Sequence, residues 1–378
     1  MKKLFKSMSF MTTLLAIVTL VSCSQTSQNA QSVTPEKALA QTMLLANLPL
    51  FFNSPASFTI DNSNNILFTS PNLHNDTFVK QGIMKKAENP TIGLIDANNQ
   101  VSIWYTFLPK DMEPNSGAIV PMGIAKGPDG NIYVADMQLW AGGESRVLRI
   151  NVKEGKAVNV DVVAKGLSFP NAVAWKGNDL FISDTVLATE KGKSTTSGIY
   201  KINLNELNAK KPLQIKAYKS KNDFDQHLLE TFQSNGSLGF GANGLAVDEA
   251  GSLYTGIMEE GIVYKTTLNE DNTLKTTTLF AKGMIAPDGI QWDQTSKALY
   301  ATDLFANAVY RIDLNGELTL LAKNGDTDGA NGEIDGPGEV IIRGNRAYVT
   351  NFDAAFGVPT MVNTKPDAPS TISVFNLK

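Results

Sequence analysis

Short runs of alternating apolar and polar residues recur along this chain, and each run is followed by a Gly/Asn/Asp turn and a second run. This pattern is typical of a β-hairpin. Four clear copies begin at Met122, Asn171, Asn243 and Asp288, and weaker copies begin at Ser57 and Glu339. The chain therefore repeats one hairpin unit six times.

A third apolar run follows each hairpin, and a fourth follows most of them. Four strands repeating every 45 to 70 residues or so are typical of propeller blades, which stack around an axis because one blade cannot bury both of its faces. We predict an all-β, six-bladed β-propeller over residues 47–378. The last unit lacks a fourth strand, and we expect Asn47–Phe52 to supply it and so to cover both open edges.

The first residues predict a leader segment. Three lysines precede an apolar run that is too short to span a bilayer, and the run ends at Leu20-Val21-Ser22-Cys23. This ending resembles a bacterial lipobox, which implies a lipoprotein signal peptide over 1–22, a lipidated Cys23 and a membrane contact through the lipid only. Because Ser24 follows the cysteine, bacterial sorting rules favour the outer membrane, with the protein facing the periplasm. A plain secretory signal is the alternative.

Residues 23–33 are rich in Ser, Gln and Asn and predict a flexible tether. Residues 34–46 predict a short helix, because Thr34 suits an N-cap, Pro35 suits the first helical position and helix formers follow. The formal net charge is −4 and the chain has no cluster of Lys or Arg, so nucleic acid is not expected as a partner. Cys23 is the only cysteine, which excludes a disulfide and a cysteine-based metal site within the chain.

Polar residues stand where the first strands of several blades should begin, at the mouth of the central channel. Asn171, Asn243 and Asp288 share this register in three successive blades, Glu339 opens the sixth blade, and Met122 opens the second. Amide and carboxylate oxygens suit a hard cation such as Ca²⁺. We therefore predict a metal site formed by Asn171, Asn243, Asp288 and Glu339, although Asn and Asp are also ordinary turn residues.

Acidic residues also end the second strands, namely Asp136, Asp184, Glu259 and Asp303. Asp184 and Asp303 are candidate substrate contacts at the rim, together with Met122; the alternative is that these acids bind backbone N–H groups. The two histidines, His74 and His227, lie in loop-like contexts, and a solvated loop histidine is the simpler interpretation of His74. The segment around His227 predicts a short amphipathic helix that either covers the channel or packs on the ring.

The stretches "FPNAVAW", "GANGLAV" and "APDGIQW" resemble the metal-site motifs of the regucalcin/gluconolactonase superfamily, which includes the paraoxonases. This resemblance implies a six-bladed propeller that holds Ca²⁺ or another divalent cation and hydrolyses lactones or related esters. Asn243 and Asp288 match metal ligands, and Asn171 matches a position that binds metal or contacts substrate. The chain lacks the family's first-blade Glu, the His of paraoxonases (Met122 here) and the Arg of gluconolactonases (Phe169 here).

The resemblance implies that the cation polarises the lactone carbonyl while water attacks, and that Asp288 binds the ion and takes a proton from the water. A cation beside Asp288 would lower its pKa and weaken it as a base. Two other interpretations stay open. One is a non-catalytic, lipid-anchored propeller that binds a ligand or protein partner, and the other is a quinone-dependent sugar dehydrogenase, which the shortage of histidine disfavours.

Overall fold

Six antiparallel sheets, each built on four strands, form the part of the chain that the computed structural model describes, residues 38–189 and 194–377. The predicted six-bladed, mainly-β propeller is confirmed. The first blade consists of β2 (Phe58–Ile60), β3 (Ile66–Ser70), β4 (Thr91–Ile95) and β5 (Val101–Thr106). The second consists of β6 (Pro121–Lys126), β7 (Ile132–Asp136), β8 (Ser145–Lys153) and β9 (Lys156–Leu167). The third consists of β10 (Pro170–Lys176), β11 (Asp179–Thr189), β12 (Thr195–Asn203) and β14 (Leu228–Ser234).

The last three blades follow the same antiparallel order. The fourth blade consists of β15 (Ala242–Val247), β16 (Leu253–Ile257), β17 (Ile262–Leu268) and β18 (Leu274–Lys282). The fifth consists of β19 (Pro287–Asp293), β20 (Ala298–Asp303), β21 (Ala308–Ile312) and β22 (Leu318–Lys323). The sixth consists of β23 (Pro337–Arg343), β24 (Arg346–Asn351), β25 (Thr371–Asn376) and β1 (Met43–Asn47). One two-residue strand, β13 (Leu213–Gln214), one short helix, α1 (Asn75–Lys80), and three single 3₁₀ turns (Pro109–Asp111, Leu204–Glu206 and Met258–Glu260) complete the regular structure of the described residues.

The first strands of neighbouring blades contact each other around the whole ring, including β23 of the sixth blade against β2 of the first. The apolar faces of the sheets meet between blades, so each of the six blade interfaces has its own buried cluster. A seventh cluster covers the mouth of the channel. Burial between blades is therefore the main apolar contribution to the stability of the ring.

The ring closes with an N-terminal strand, but not the one that we predicted. β1 pairs antiparallel with β25, with Met43 opposite Val374 and Asn47 opposite Thr371. The predicted closing segment, Asn47–Phe52, instead turns back after Asn47, because Pro49 has no N–H to donate and the Phe52 N–H donates to the Pro49 carbonyl at 2.8 Å. The closing strand thus ends where the predicted one should have begun.

The predicted helix over 34–46 is also wrong where the structure describes it. Ala38 to Thr42 have no helical structure, and Met43 to Ala46 belong to β1. The open edge of β25 offers a row of unpaired backbone groups, and satisfying them outweighs the small helix propensity of this segment. The leader, Cys23 and the tether all lie outside the described residues. Among the described residues, no helix has the length and hydropathy needed to cross a membrane.

The segment around His227 is a strand and not a helix. β14 is the outer strand of the third blade and pairs antiparallel with β12. Leu228 and Phe232 are buried in blade interfaces, so the apolar pattern packs on the ring and does not cover the channel. The short β13 (Leu213–Gln214), which precedes β14 in the chain, joins the second blade parallel to β9.

Carboxylates hold His227 at the start of β14. Its Nδ1 lies 2.6 Å from Asp225 Oδ1 and its Nε2 lies 3.0 Å from Glu206 Oε1. Burial alone would lower the pKa of His227, but the hydrogen bonds with Glu206 and Asp225 outweigh burial and raise it. The imidazole therefore ties the 3₁₀ turn after β12 to the entry of β14, most strongly when it is protonated.

We expect this tie to stabilise the protein in acid more than in base. Because the folded pKa of His227 is raised, its contribution is complete below the unfolded pKa of about 6.5 and is lost as the pH rises through the folded value. The melting temperature of His227→Gln should therefore fall further below that of the wild type at about pH 5.5 than at about pH 9. If the melting temperatures of the wild type and His227→Gln differ by the same amount at both pH values, the imidazole contributes only packing at this position.

Candidate metal centre

The predicted ligands lie around one cavity on the propeller axis. Asn171, Asn243, Asp288 and Glu339 line it together, each from the first strand of a different blade, and Met122 lines it from the second blade. The structure thus brings together all four residues proposed from the sequence as ligands. Ser57, which opens the first blade where the resembling family has a Glu, also lines the cavity, and its Oγ lies 3.5 Å from Glu339 Oε2.

Glycines allow the first strands to approach this closely. A Cβ on Gly123 would lie 2.1 Å from the Asn171 carbonyl oxygen, and a Cβ on Gly244 would lie 2.0 Å from the Asp288 carbonyl oxygen. A Cβ on Gly289 would lie 2.3 Å from Glu339 Oε1. Each of these glycines directly follows the residue that opens its blade. The glycine after the opening residue therefore packs directly against the opening residue of the next blade.

Hydroxyl groups on the second strands link the same positions. Five of them donate to a carbonyl at the start of the next blade: Thr69 to Met122 at 2.7 Å, Ser183 to Asn243 at 2.6 Å, Thr185 to Ala242 at 2.7 Å, Thr302 to Gly338 at 2.9 Å and Thr350 to Ala56 at 3.1 Å. The last of these bonds joins the sixth blade to the first. The backbone that carries the polar side chains is thus fixed by contacts between blades.

Two uncompensated carboxylates dominate the electrostatics of the cavity. Burial raises the pKa of Asp288 to about 8, although a hydrogen bond from Asn243 opposes the rise. Burial also raises the pKa of Glu339 to about 8; the Val340 N–H opposes this rise, and the charge of Asp288 adds to it. Among the described residues, no basic side chain lines the cavity. A cation would remove the cost of ionising both groups.

The donor set suits a hard divalent cation. It offers two carboxylates and two amide oxygens, and the described lining residues include no histidine or cysteine, which fits Ca²⁺ better than zinc. The Asn243 Nδ2 donates to Met258 Sδ at 3.4 Å. The cavity leaves about 30 Å³ for the centre of a water-sized sphere, which is room for an ion with one or two waters.

An apolar chamber lies directly above these ligands. Trp140, Phe169, Phe240 and Phe356, which we call the aromatic box, line it together with the Asn171, Asn243 and Asp288 side chains. The Trp140 ring lies edge-on to Phe169 with centroids 5.1 Å apart, and Phe240 lies edge-on to Phe356 at 5.4 Å. Trp140 is 46% exposed and forms the outer wall. A ligand that enters the polar cavity through this chamber therefore passes aromatic surfaces.

The acids that end the second strands are structural, which corrects their proposed place at the rim. Asp184 accepts the N–H groups of Ser168 and Phe169 at 2.8 and 2.7 Å, just ahead of β10. Asp303 accepts those of Ile285 and Ala286 in the same way ahead of β19. Neither side chain is among those that line the two central cavities. Each ties the entry of the first strand to the end of the second within its own blade.

Asp136 and Glu259 are satisfied in the same manner. Asp136 accepts the Val120 N–H and forms an ion pair with Arg146, and Glu259 accepts the Phe240 N–H. His74 is not a solvated loop residue as we expected. It is buried, its ring lies edge-on to Phe78, and burial lowers its pKa to about 4.

Comparison with known proteins adds a regional match to this geometry. Residues 213–338 match the SMP-30/Gluconolactonase/LRE-like region. The match contains Asn243 and Asp288, whereas Asn171 precedes it and Glu339 is the residue directly after it. The protein is thus a six-bladed propeller with a gluconolactonase-like region centred on its fourth and fifth blades. No curated protein sequence gives a significant match.

Solved structures of several activities share the fold at low sequence identity. A gluconolactonase from Xanthomonas campestris superposes with a TM-score of 0.53 at 11% identity, covering 90% of each chain. A luciferin-regenerating enzyme gives 0.54 at 11%, over 89% of this chain and 95% of its own. The PQQ-bound aldose sugar dehydrogenase of Streptomyces coelicolor gives 0.53 at 13%, over 90% and 99%. At these identities the likeness shows the fold alone.

Sequence reasoning missed the aromatic box. Phe169 and Phe240 stand two and three residues ahead of Asn171 and Asn243, so an aromatic residue before the polar residue of two neighbouring blades was the available signal. Trp140 and Phe356 come from loops, whose path no strand pattern determines.

Gly244→Ala tests whether the contact between blades positions the ligands. The new methyl group would overlap the Asp288 carbonyl oxygen and push β19 outward, which should cost about 1–3 kcal/mol and weaken cation binding. Gly325→Ala is the matched control, because no atom of the described residues lies within 4 Å of a Cβ there. Thermal melts and calcium titrations check this. Unchanged calcium affinity in Gly244→Ala would show that the close approach does not matter for the site.

Proposed function

We propose that the protein is a divalent-metal-dependent hydrolase of lactones or related esters, and that Ca²⁺ is its cation. One observation carries the proposal: Asn171, Asn243, Asp288 and Glu339 meet in one cavity that opens into an apolar chamber. The match of residues 213–338 to the SMP-30/Gluconolactonase/LRE-like region supports it. The lipid anchor at Cys23 and the outer-membrane location are proposals from the sequence alone.

A bound cation would supply Lewis-acid chemistry, polarising the substrate carbonyl and stabilising the negative charge that develops on its oxygen. Asn171 and Asn243 would contribute neutral amide oxygens, and the two acids would contribute charge. Glu339 compensates for the missing first-blade Glu, since β23 is the neighbour of β2 and Ser57 contacts Glu339. The four proposed ligands, which we call the cradle, therefore still include a Glu, although this Glu comes from the sixth blade and not from the first.

Asp288 is the better candidate for taking a proton from the attacking water. Its carboxylate accepts no backbone N–H among the described residues, whereas Glu339 Oε1 accepts the Val340 N–H at 3.0 Å. The free lone pairs of Asp288 can thus bind the cation and also accept a hydrogen bond from a water molecule. Its buried position raises its pKa, which partly offsets the lowering that a cation causes.

The aromatic box favours substrates with an apolar acyl or aryl substituent over sugar lactones. Five aromatic residues line the chamber, namely the aromatic box and Phe352, and its polar groups belong to Asn171, Asn243 and Asp288 apart from the Thr185 hydroxyl. A sugar lactone carries several hydroxyl groups, each of which would lose its hydration without gaining a partner.

Asp288→Asn is expected to remove one cation per chain and to lower kcat/KM for lactone hydrolysis by about 10³-fold or more, because it removes a charged ligand and the proton acceptor together. Asp76→Asn, an exposed acid on α1, is the matched control. Elemental analysis and a lactone assay with and without Ca²⁺ check both effects. If the wild type binds a cation here but hydrolyses no lactone, the protein is a binding module.

Phe240→Ala should raise KM for a long-chain δ-lactone by about tenfold and leave KM for gluconolactone nearly unchanged, since several methylene groups lose their aromatic contact. Phe224→Ala is the control, because Phe224 is exposed and does not line the chamber. Steady-state kinetics with both lactones measure the ratio. Better turnover of gluconolactone than of the alkyl lactone by the wild type would contradict the assigned substrate class.

A further inference from the structure

A second group of acids lies on the sixth blade, away from the central cradle. Asp335 comes just before β23 and Asp353 comes just after β24. Asp367 lies in the connection between β24 and β25, residues 352–370, which we call the rim loop. One carboxylate oxygen from each lies within 4.8 Å of the others. Two ligands of a Ca²⁺ ion are at most about 4.8 Å apart, because each lies about 2.4 Å from the ion. The separations therefore lie within the range found between ligands of one Ca²⁺ ion.

One carboxylate oxygen of Asp335 is buried without a donor among the described residues. The residue is 2% exposed, and this oxygen is Oδ1. Asn363, also 2% exposed, donates from Nδ2 to Asp353 Oδ1 at 2.6 Å, while its own Oδ1 is buried without a partner in the described chain. Two unpartnered oxygens in a buried polar cluster are a costly arrangement unless something donates to them or binds them.

The backbone around these acids is fixed. The Asp353 N–H donates to the Gly336 carbonyl at 2.9 Å, and the Asp335 N–H donates to Asn351 Oδ1 at 3.1 Å. A Cβ on Gly336 would lie 2.8 Å from Asp353 Cα, so the two segments pack as closely as glycine allows. The Asp367 N–H donates to Asp353 Oδ2 at 2.5 Å, which attaches the rim loop to the same point.

The negative charge of the cluster is not neutralised. Burial raises the pKa of Asp335 to about 8, and the charges of Asp353, Asp367, Asp326 and Asp328 add to the rise. Burial also raises the pKa of Asp353, to about 7. Lys365 is the one base paired with the triad among the described residues, and it contacts Asp367 alone from a side chain that is 67% exposed. One exposed lysine does not balance three clustered carboxylates.

We propose that Asp335, Asp353 and Asp367 bind a second Ca²⁺ ion, which fastens the rim loop of the sixth blade over the central cavity. This site is separate from the proposed catalytic one and does not depend on it. Its position suggests what it does. Phe352, next to Asp353, lines the central cavity, and Phe356 of the same loop is a wall of the aromatic box. Glu339 of the central cradle follows Asp335 by four residues.

Asp335→Asn separates a cation site from a structural acid. With EDTA the substitution should leave the melting temperature unchanged or raise it, because it removes repulsion and breaks no hydrogen bond from the described residues to the buried Oδ1. With Ca²⁺ the wild type should become the more stable protein, and calcium affinity at this site should fall about tenfold or more in the variant. Asp328→Asn, an exposed neighbour, is the matched control and should behave like the wild type.

Isothermal titration with CaCl₂ counts the sites and keeps the two proposals distinguishable. We expect two sites in the wild type, one in Asp288→Asn, one in Asp335→Asn and none in the double variant. If the central site fails, Asp288→Asn will match the wild type while Asp335→Asn still loses a site. Asp367→Asn, at a partly exposed loop position, gives the same loss should Asp335→Asn not fold. Equal destabilisation of Asp335→Asn in EDTA and Ca²⁺, with an unchanged site count, would overturn this proposal.

Discussion

The structure depends on how closely the first strands of neighbouring blades approach one another at the axis. Gly244 and Gly289 leave no space for a side chain against the next blade, and hydroxyls such as Ser183 and Thr302 bond to the carbonyl groups that face them. Backbone carbonyl oxygens of the next blade take part in all of these contacts, so the contacts constrain the course of the chain at the axis. They fix where Asn243, Asp288 and Glu339 begin, and hence the size of the cavity.

The same constraint explains how far the sequence could be interpreted. The shared register of Asn171, Asn243 and Asp288 could be predicted because a propeller repeats one sequence motif. Equivalent positions in the motif occupy equivalent positions around the axis. Glu339 could be placed for the same reason. The N-terminal strand and β14 could not, because an edge strand is chosen by the open edge that it covers and not by its own propensity.

Loops carried the information that the strand pattern lacks. Trp140, Phe356 and Asp367 come from connections whose course depends on tertiary contacts, and together they determine the apolar chamber and complete the second acidic cluster. The first strands thus carry the polar side chains at the axis, whereas the loops form walls of the chamber beside them. This division also explains why the fold is shared with enzymes of several activities at identities of 11–13%.

The buried carboxylates of the chain fall into two groups. Asp184 and Asp303 accept two or more backbone N–H groups, and Asp136 adds an ion pair with Arg146, so their burial is compensated within the protein. Asp288 and Asp335 have no such donors among the described residues, and both have a pKa near 8. A buried acid without donors destabilises the fold when it is ionised, unless a cation offsets the cost. Asp288 and Asp335, which lack such backbone donors, are therefore the acids whose burial most needs a cation, and each belongs to one of the two ion sites that we propose.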